Sequence, residues 1–239
     1  MSRAFVFPGQ GSQAVGMGKV LAEASPVARE VFEEVDDALS QKLSKLMFEG
    51  PEDELTLTEN AQPALMAVSM ALIRVLEKDG GIVIADKADF VAGHSLGEYS
   101  ALAAAGAFGV ADAARLLKTR GKAMQEAVPV GEGAMAALLG LDIDKVAEIA
   151  REAAGDEVCD IANDNSDGQV VVSGSRAAVE RAVALAGEAG ARRSVLLPVS
   201  APFHCALMAP AADVMQAALA ETSITPPNPR LIANVTADE

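Results

Sequence analysis

Gly93-His94-Ser95-Leu96-Gly97 constrains this chain more than any other stretch. It follows a short apolar run, Asp89 to Ala92, that reads as a strand stopped by Gly93. It precedes Glu98 to Ala105, which reads as a helix. A Gly-x-Ser-x-Gly pattern between strand and helix predicts a tight turn that projects the serine hydroxyl from the edge of a sheet. Side chains on either side would clash, which explains the flanking glycines. The helix start supplies free N–H groups and the positive end of the peptide dipoles. The same five residues also fit a structural turn with an N-capping serine. The distinction rests on what else the chain can bring to Ser95.

A serine nucleophile needs a base, and the chain has only two histidines. His94 is the immediate neighbour of Ser95, so its ring is expected to point elsewhere, packing or bonding under the turn. His204, in Pro202-Phe203-His204-Cys205, is the stronger candidate. Cys205 is a rival nucleophile without an elbow. No Asp or Glu between Ser95 and His204 stands out as the group that orients the histidine; Asp160, Asp164 and Asp167 fall in a separate, smaller region.

Two further features bear on chemistry. Gly9-Gln10-Gly11-Ser12-Gln13-Ala14 follows a first strand, Arg3 to Phe7. It fits a dinucleotide-binding loop, yet Pro8 breaks the strand before it, and Glu33 and Glu34 lie in a helical stretch. As an acyl-transfer loop, its Gln10 could donate to an oxyanion. Arg115, Lys118, Arg120 and Lys122 form the densest basic stretch in a chain of net charge −15. An arginine near the site could clamp a carboxylate through two parallel hydrogen bonds. The acidic balance argues against a nucleic-acid binder. There is no signal pattern and no apolar run of spanning length. Two cysteines make no disulfide framework, so a reduced, cytoplasmic protein is expected.

Along the chain, helical patterning runs from about Val15 to Leu46, with breaks near Ser25-Pro26 and Ser40. Further helices are expected at Pro63 to Lys78 and Ala111 to Ala127. The texture then changes. Ala134 to Leu141, Glu157 to Ala162, Gln169 to Ser173 and Arg193 to Val199 read as strands, with helices at Asp142 to Ala154 and Ser175 to Gly190. Asn163 to Gly168 is expected to be a turn. This β-α-β-β-α-β order is the ferredoxin-like arrangement and defines a small domain at 127–199, inserted in a larger one at 1–126 and 200–239. A helix from Ala206 to Glu221 and a strand from Leu231 to Val235 complete the pattern. A strand with nothing after it suggests a chain cut short.

Taken together, Phe7-Pro8-Gly9-Gln10-Gly11-Ser12-Gln13, Gln62-Pro63-Ala64, Gly93 to Ala101, Arg120-Gly121-Lys122-Ala123-Met124-Gln125 and Pro202-Phe203-His204-Cys205-Ala206-Leu207-Met208 resemble the malonyl-CoA:acyl carrier protein transacylases of fatty-acid synthesis. The resemblance runs through the whole chain in order. It implies an α/β-hydrolase-like large domain with a ferredoxin-like small one, the active site between them and the C-terminal part of the large domain missing. It implies Ser95 and His204 as the catalytic pair, and the backbone N–H groups of Gln10 and Leu96 as the oxyanion hole. Arg120 would bind the malonyl carboxylate, with Gln62, Met124 and Phe203 lining the pocket. Phe203 and Leu96 point to malonyl over methylmalonyl. The missing segment would carry the backbone carbonyl that holds the histidine. The implied reaction is ping-pong, with malonyl-CoA and acyl carrier protein as substrates and neither metal nor cofactor. Docking of the carrier protein through Arg115, Lys118 or Lys122 is expected. The alternative is a serine esterase or thioesterase on the same elbow.

Overall fold

The computed structural model describes residues 2–238. In chain order its elements are β1 (Ala4–Phe7), α1 (Lys19–Ala24), α2 (Pro26–Leu39), α3 (Leu43–Glu49), α4 (Glu52–Thr56), α5 (Thr58–Lys78), α6 (Ile84–Lys87), β2 (Phe90–Gly93), α7 (Leu96–Ala104) and α8 (Val110–Ala127). There follow β3 (Gly133–Leu139), α9 (Ile143–Ala154), β4 (Cys159–Ser166), β5 (Gln169–Ser175), α10 (Arg176–Glu188), β6 (Arg193–Leu196), a 3₁₀ turn (Ala206–Met208), α11 (Ala209–Ala220) and β7 (Arg230–Ile232). The chain divides into two compact units, Met1–Gly121 with Met215–Glu239, and Lys122–Val214.

The first unit holds a parallel sheet of order β1-β2-β7. Its central strand carries Val91, fully buried among Phe7, Ile73, Ile84 and Ala101. The register pairs Phe7 with Gly93. The loops that leave β1 and β2 therefore start side by side at the carboxyl ends of adjacent parallel strands, where α/β sheets place their ligands. The helices pack through a core poor in aromatics: Phe32, Val35, Leu43, Met47, Leu55, Met66 and Leu117 are all buried. Helix breaks have local causes. Ser25 caps α2, its hydroxyl accepting from the Ala28 N–H, with Pro26 at the first helical position. Ser40 ends α2 with φ 48°. The buried Asp36 carboxylate accepts from the N–H and hydroxyl of Ser44, which satisfies the start of α3.

The second unit holds an antiparallel sheet of order β4-β5-β3-β6. Ala134, Ala136 and Leu138 of β3 pack with Val146 and Ile149 of α9 and Val179 and Ala182 of α10. Met135 belongs to a different cluster, with Val171, Phe203 and Met208. The two clusters follow from the period-two alternation of a strand. Asp142 caps α9, accepting from the Lys145 N–H at 2.8 Å.

Three expectations about elements are corrected. The stretch Asn163 to Ser166 is strand, and the turn shrinks to Asp167-Gly168. Register shifts between Ile161 and Asn163 and between Asp164 and Ser166 let a polar, turn-like sequence stay paired with β5. Helix α5 starts at Thr58, so Pro63 sits inside it. The last strand ends at Ile232, and the residues beyond form a turn closed by the Ala237 N–H on the Ala233 carbonyl. Two short helices, α4 and α6, escaped the sequence pattern altogether.

Candidate active site

Ser95 lies two residues beyond β2, at the N-cap of α7, with φ 53° and ψ −111°. Non-glycine residues rarely adopt that conformation, and it costs of order 1–3 kcal/mol. The turn can be this tight only because its neighbours lack side chains. A Cβ at Gly93 would run into the backbone of Gly97 and Glu98, and one at Gly97 would meet the carbonyls of Phe7 and Pro8. Gly93→Ala is therefore expected to cost at least about 3 kcal/mol. Gly187→Ala on α10, where a Cβ meets nothing within 4 Å, should gain about 0.5–1 kcal/mol. Urea unfolding of the two variants checks the contrast.

Arg120 lies within α8, partly exposed. One guanidinium nitrogen, Nη2, donates to the Ser95 hydroxyl at 3.0 Å, and Nη1 donates to Gln62 Oε1 at 2.8 Å. The guanidinium also lies 5.8 Å from the centre of the Tyr99 ring. Gly121 makes this reach possible: a Cβ there would strike the backbone of Thr58 and Glu59, so α8 approaches the start of α5 closely. Gln62, fully buried on α5, then faces Arg120. Loss of solvation pushes the Arg120 guanidinium below its ordinary pKa and raises the Tyr99 phenol above its own. No carboxylate among the described residues lies within ion-pair distance of Arg120. By contrast, ion pairs among the described residues occupy Arg74, Arg115, Lys118, Lys122, Lys145, Arg176 and Arg181.

The other expected site residues fall as follows. The Gln10 side chain donates to Thr58 Oγ1 at 3.5 Å. Leu96 is the first residue of α7, where helix geometry leaves its N–H without an intrahelical partner. The His94 ring lies against Gly9, where it blocks any Cβ. His204 sits in the second unit on an exposed turn with φ 60°. Phe203 beside it is buried in one cluster with Met124 and Met208. Ser95, Arg120 and Gln62 thus form one hydrogen-bonded group in the first unit; Met124, Phe203 and His204 belong to the second.

Cys205 makes a poor rival nucleophile. Burial pushes its thiol up, and that of Cys159 up to about 11, so both stay protonated near neutrality. The basic stretch expected to dock a carrier protein is largely neutralised: Arg115 pairs with Asp112, Lys118 with Glu59 and Lys122 with Glu126. Sequence reasoning missed Asn234, whose side chain bonds both flanks of the elbow.

At the carboxyl end of the parallel sheet, then, a strained serine accepts a hydrogen bond from a guanidinium that has no ion pair among the described residues. Residues 4–238 match the acyl transferase domain model. The chain is 49% identical over 236 residues to the malonyl CoA-acyl carrier protein transacylase of Bacillus subtilis, covering 98% of this chain and 73% of that one. It superposes with TM-score 0.96 on the acyl-carrier-protein S-malonyltransferase of Bartonella henselae, at 63% identity, covering 99% of this chain and 75% of that one. It also superposes with TM-score 0.94 on a malonyl-transacylase solved in complex with a type II PKS acyl-carrier protein, at 45% identity, covering 100% and 76%. The chain belongs to the malonyl CoA-acyl carrier protein transacylase family.

Proposed function

We propose that the chain transfers a malonyl group from malonyl-CoA to the phosphopantetheine thiol of an acyl carrier protein, through a malonyl ester on Ser95. One observation carries the assignment of roles: Arg120 is a poorly solvated cation with no carboxylate partner, bonded directly to the elbow serine. A charge held this way calls for an anionic ligand. A carboxylate on the acyl group would supply it, one residue's reach from the reacting hydroxyl.

In the proposed reaction Ser95 Oγ attacks the thioester carbonyl while His204 takes its proton. The N–H groups of Gln10 and Leu96 stabilise the oxyanion. The C–S bond breaks and coenzyme A leaves as the thiol, with the proton from His204. The carrier thiol then attacks the malonyl ester, giving its proton to His204, and Ser95 recovers that proton as the new thioester forms. His204 is supported as base by elimination, because His94 is pinned against Gly9. Gln62 orients Arg120, and Met124 and Phe203 line the acyl pocket. The chemistry asks for no metal or cofactor. Among the described residues no helix is long and apolar enough to cross a membrane, which fits a cytoplasmic enzyme. The strand order β4-β5-β3-β6 supports a ferredoxin-like domain at 127–199, and the parallel sheet β1-β2-β7, drawn from both sides of it in sequence, supports an α/β-hydrolase-like domain at 1–126 and 200–239.

The test is peptide mass mapping after mixing with malonyl-CoA. A malonyl group on Ser95 that moves to a carrier protein is the expected result. Labelling followed by release to water alone would make the chain a thioesterase. No adduct would sink the reading.

A further inference from the structure

The proposed nucleophile sits in a conformation that something must hold, and the glycines only permit it. The structure assigns that task to Asn234, which we propose is a positioning residue for acyl transfer; this rests on the reading of Ser95 as nucleophile. The Ser95 N–H donates to Asn234 Oδ1 at 2.7 Å, and Asn234 Nδ2 donates to the Gly93 carbonyl. One carboxamide thus spans the elbow, taking the hydrogen bond of one flank and giving one to the other. The backbone N–H of Asn234 donates in turn to Glu98 Oε2 at 2.7 Å, in the first turn of α7. Strand end, strained serine and helix start are tied to a single residue.

The topology explains why this residue reaches. β7 pairs with β2 as far as Ile232 opposite Ala92, while β2 continues to Gly93. The chain beyond β7 therefore arrives beside the elbow. There the turn closed by Ala237 and by the Ala233 N–H on the Asp238 carbonyl keeps Asn234 in place. Only a side chain with both a donor and an acceptor in one plane can make this bridge. Serine can make half of it. Aspartate would set an oxygen against the Gly93 carbonyl.

The experiment compares wild type with Asn234→Ala, Asn234→Ser and Asn234→Asp. It measures kcat and KM for malonyl-CoA and the fraction of chains that finally carry malonyl on Ser95. A loosened nucleophile reacts more slowly but binds as before, so Asn234→Ala should lower kcat about 10- to 100-fold and leave KM within about 3-fold. The labelled fraction should stay complete. Asn234→Ser should fall between wild type and Asn234→Ala, and Asn234→Asp below Asn234→Ala. If Asn234→Ala does not fold, the Asn234→Ser comparison decides. Unchanged kcat in a folded variant would overturn the inference. So would a loss accounted for wholly by fewer labelled chains, which is what a merely structural residue would give. Wild type that takes no malonyl group would sink the acyl-transfer reading and this inference with it.

Discussion

Ser95→Ala is expected to abolish the malonyl adduct and lower transfer to the carrier thiol roughly 10⁴- to 10⁶-fold, the scale seen when a serine nucleophile is removed. Binding of malonyl-CoA should survive, because Arg120 and Gln62 remain. The stability of Ser95 variants separates chemistry from folding. Alanine keeps the strain at φ 53°; glycine relieves it. Relief is worth of order 1–3 kcal/mol, set against about 0.5–1 kcal/mol of extra unfolded-state entropy. Ser95→Gly should therefore unfold at higher urea concentration than Ser95→Ala, while both are inactive. Equal midpoints would show that the elbow carries no strain. Residual transfer within about 100-fold of wild type in Ser95→Ala would remove Ser95 from the mechanism.

What could be read in the sequence was local. The elbow is legible because steric need writes itself into neighbouring letters: Gly93 and Gly97 are glycine for lack of space within the same turn. The breaks at Ser25-Pro26 and Ser40 and the cap at Asp142 are legible for the same reason. The illegible parts depend on partners distant in sequence. Asn163 to Ser166 looks like a turn by composition, and only pairing with β5 keeps it extended. Asn234 lies 139 residues from Ser95, in the turn after β7, and nothing in its own neighbourhood marks it as functional. Gln62 was legible only through the family resemblance, since its bond to Arg120 spans 58 residues. The structure gives the reason Arg120 differs from its basic neighbours. Lys118 and Lys122 have carboxylates, and Arg120 has a serine and an amide.

That difference makes Arg120 the residue whose loss should change what the site accepts. Arg120→Ala is expected to lower kcat/KM for malonyl-CoA about 30- to 1,000-fold. This corresponds to about 2–4 kcal/mol, between a charge-assisted hydrogen bond and a fully buried ion pair; the partial exposure of the side chain keeps it below the upper limit. Acetyl-CoA has no carboxylate to lose, so its kcat/KM should change less than about 5-fold. Arg120→Lys should recover only part of the malonyl activity, because a point charge cannot bond Gln62, Ser95 and a carboxylate in one plane. Folding should respond in the opposite sense. Burial strips Arg120 of part of its solvation, and no ion pair among the described residues offsets that cost. Arg120→Met, similar in bulk and uncharged, should therefore unfold at the same or a higher temperature than wild type, a gain in stability bought with function. Competition between malonyl-CoA and acetyl-CoA, with thermal unfolding of the same variants, checks both halves. An unchanged preference for malonyl would refute the clamp. A marked loss of stability in Arg120→Met would show that Arg120 holds the fold together instead of waiting for a substrate.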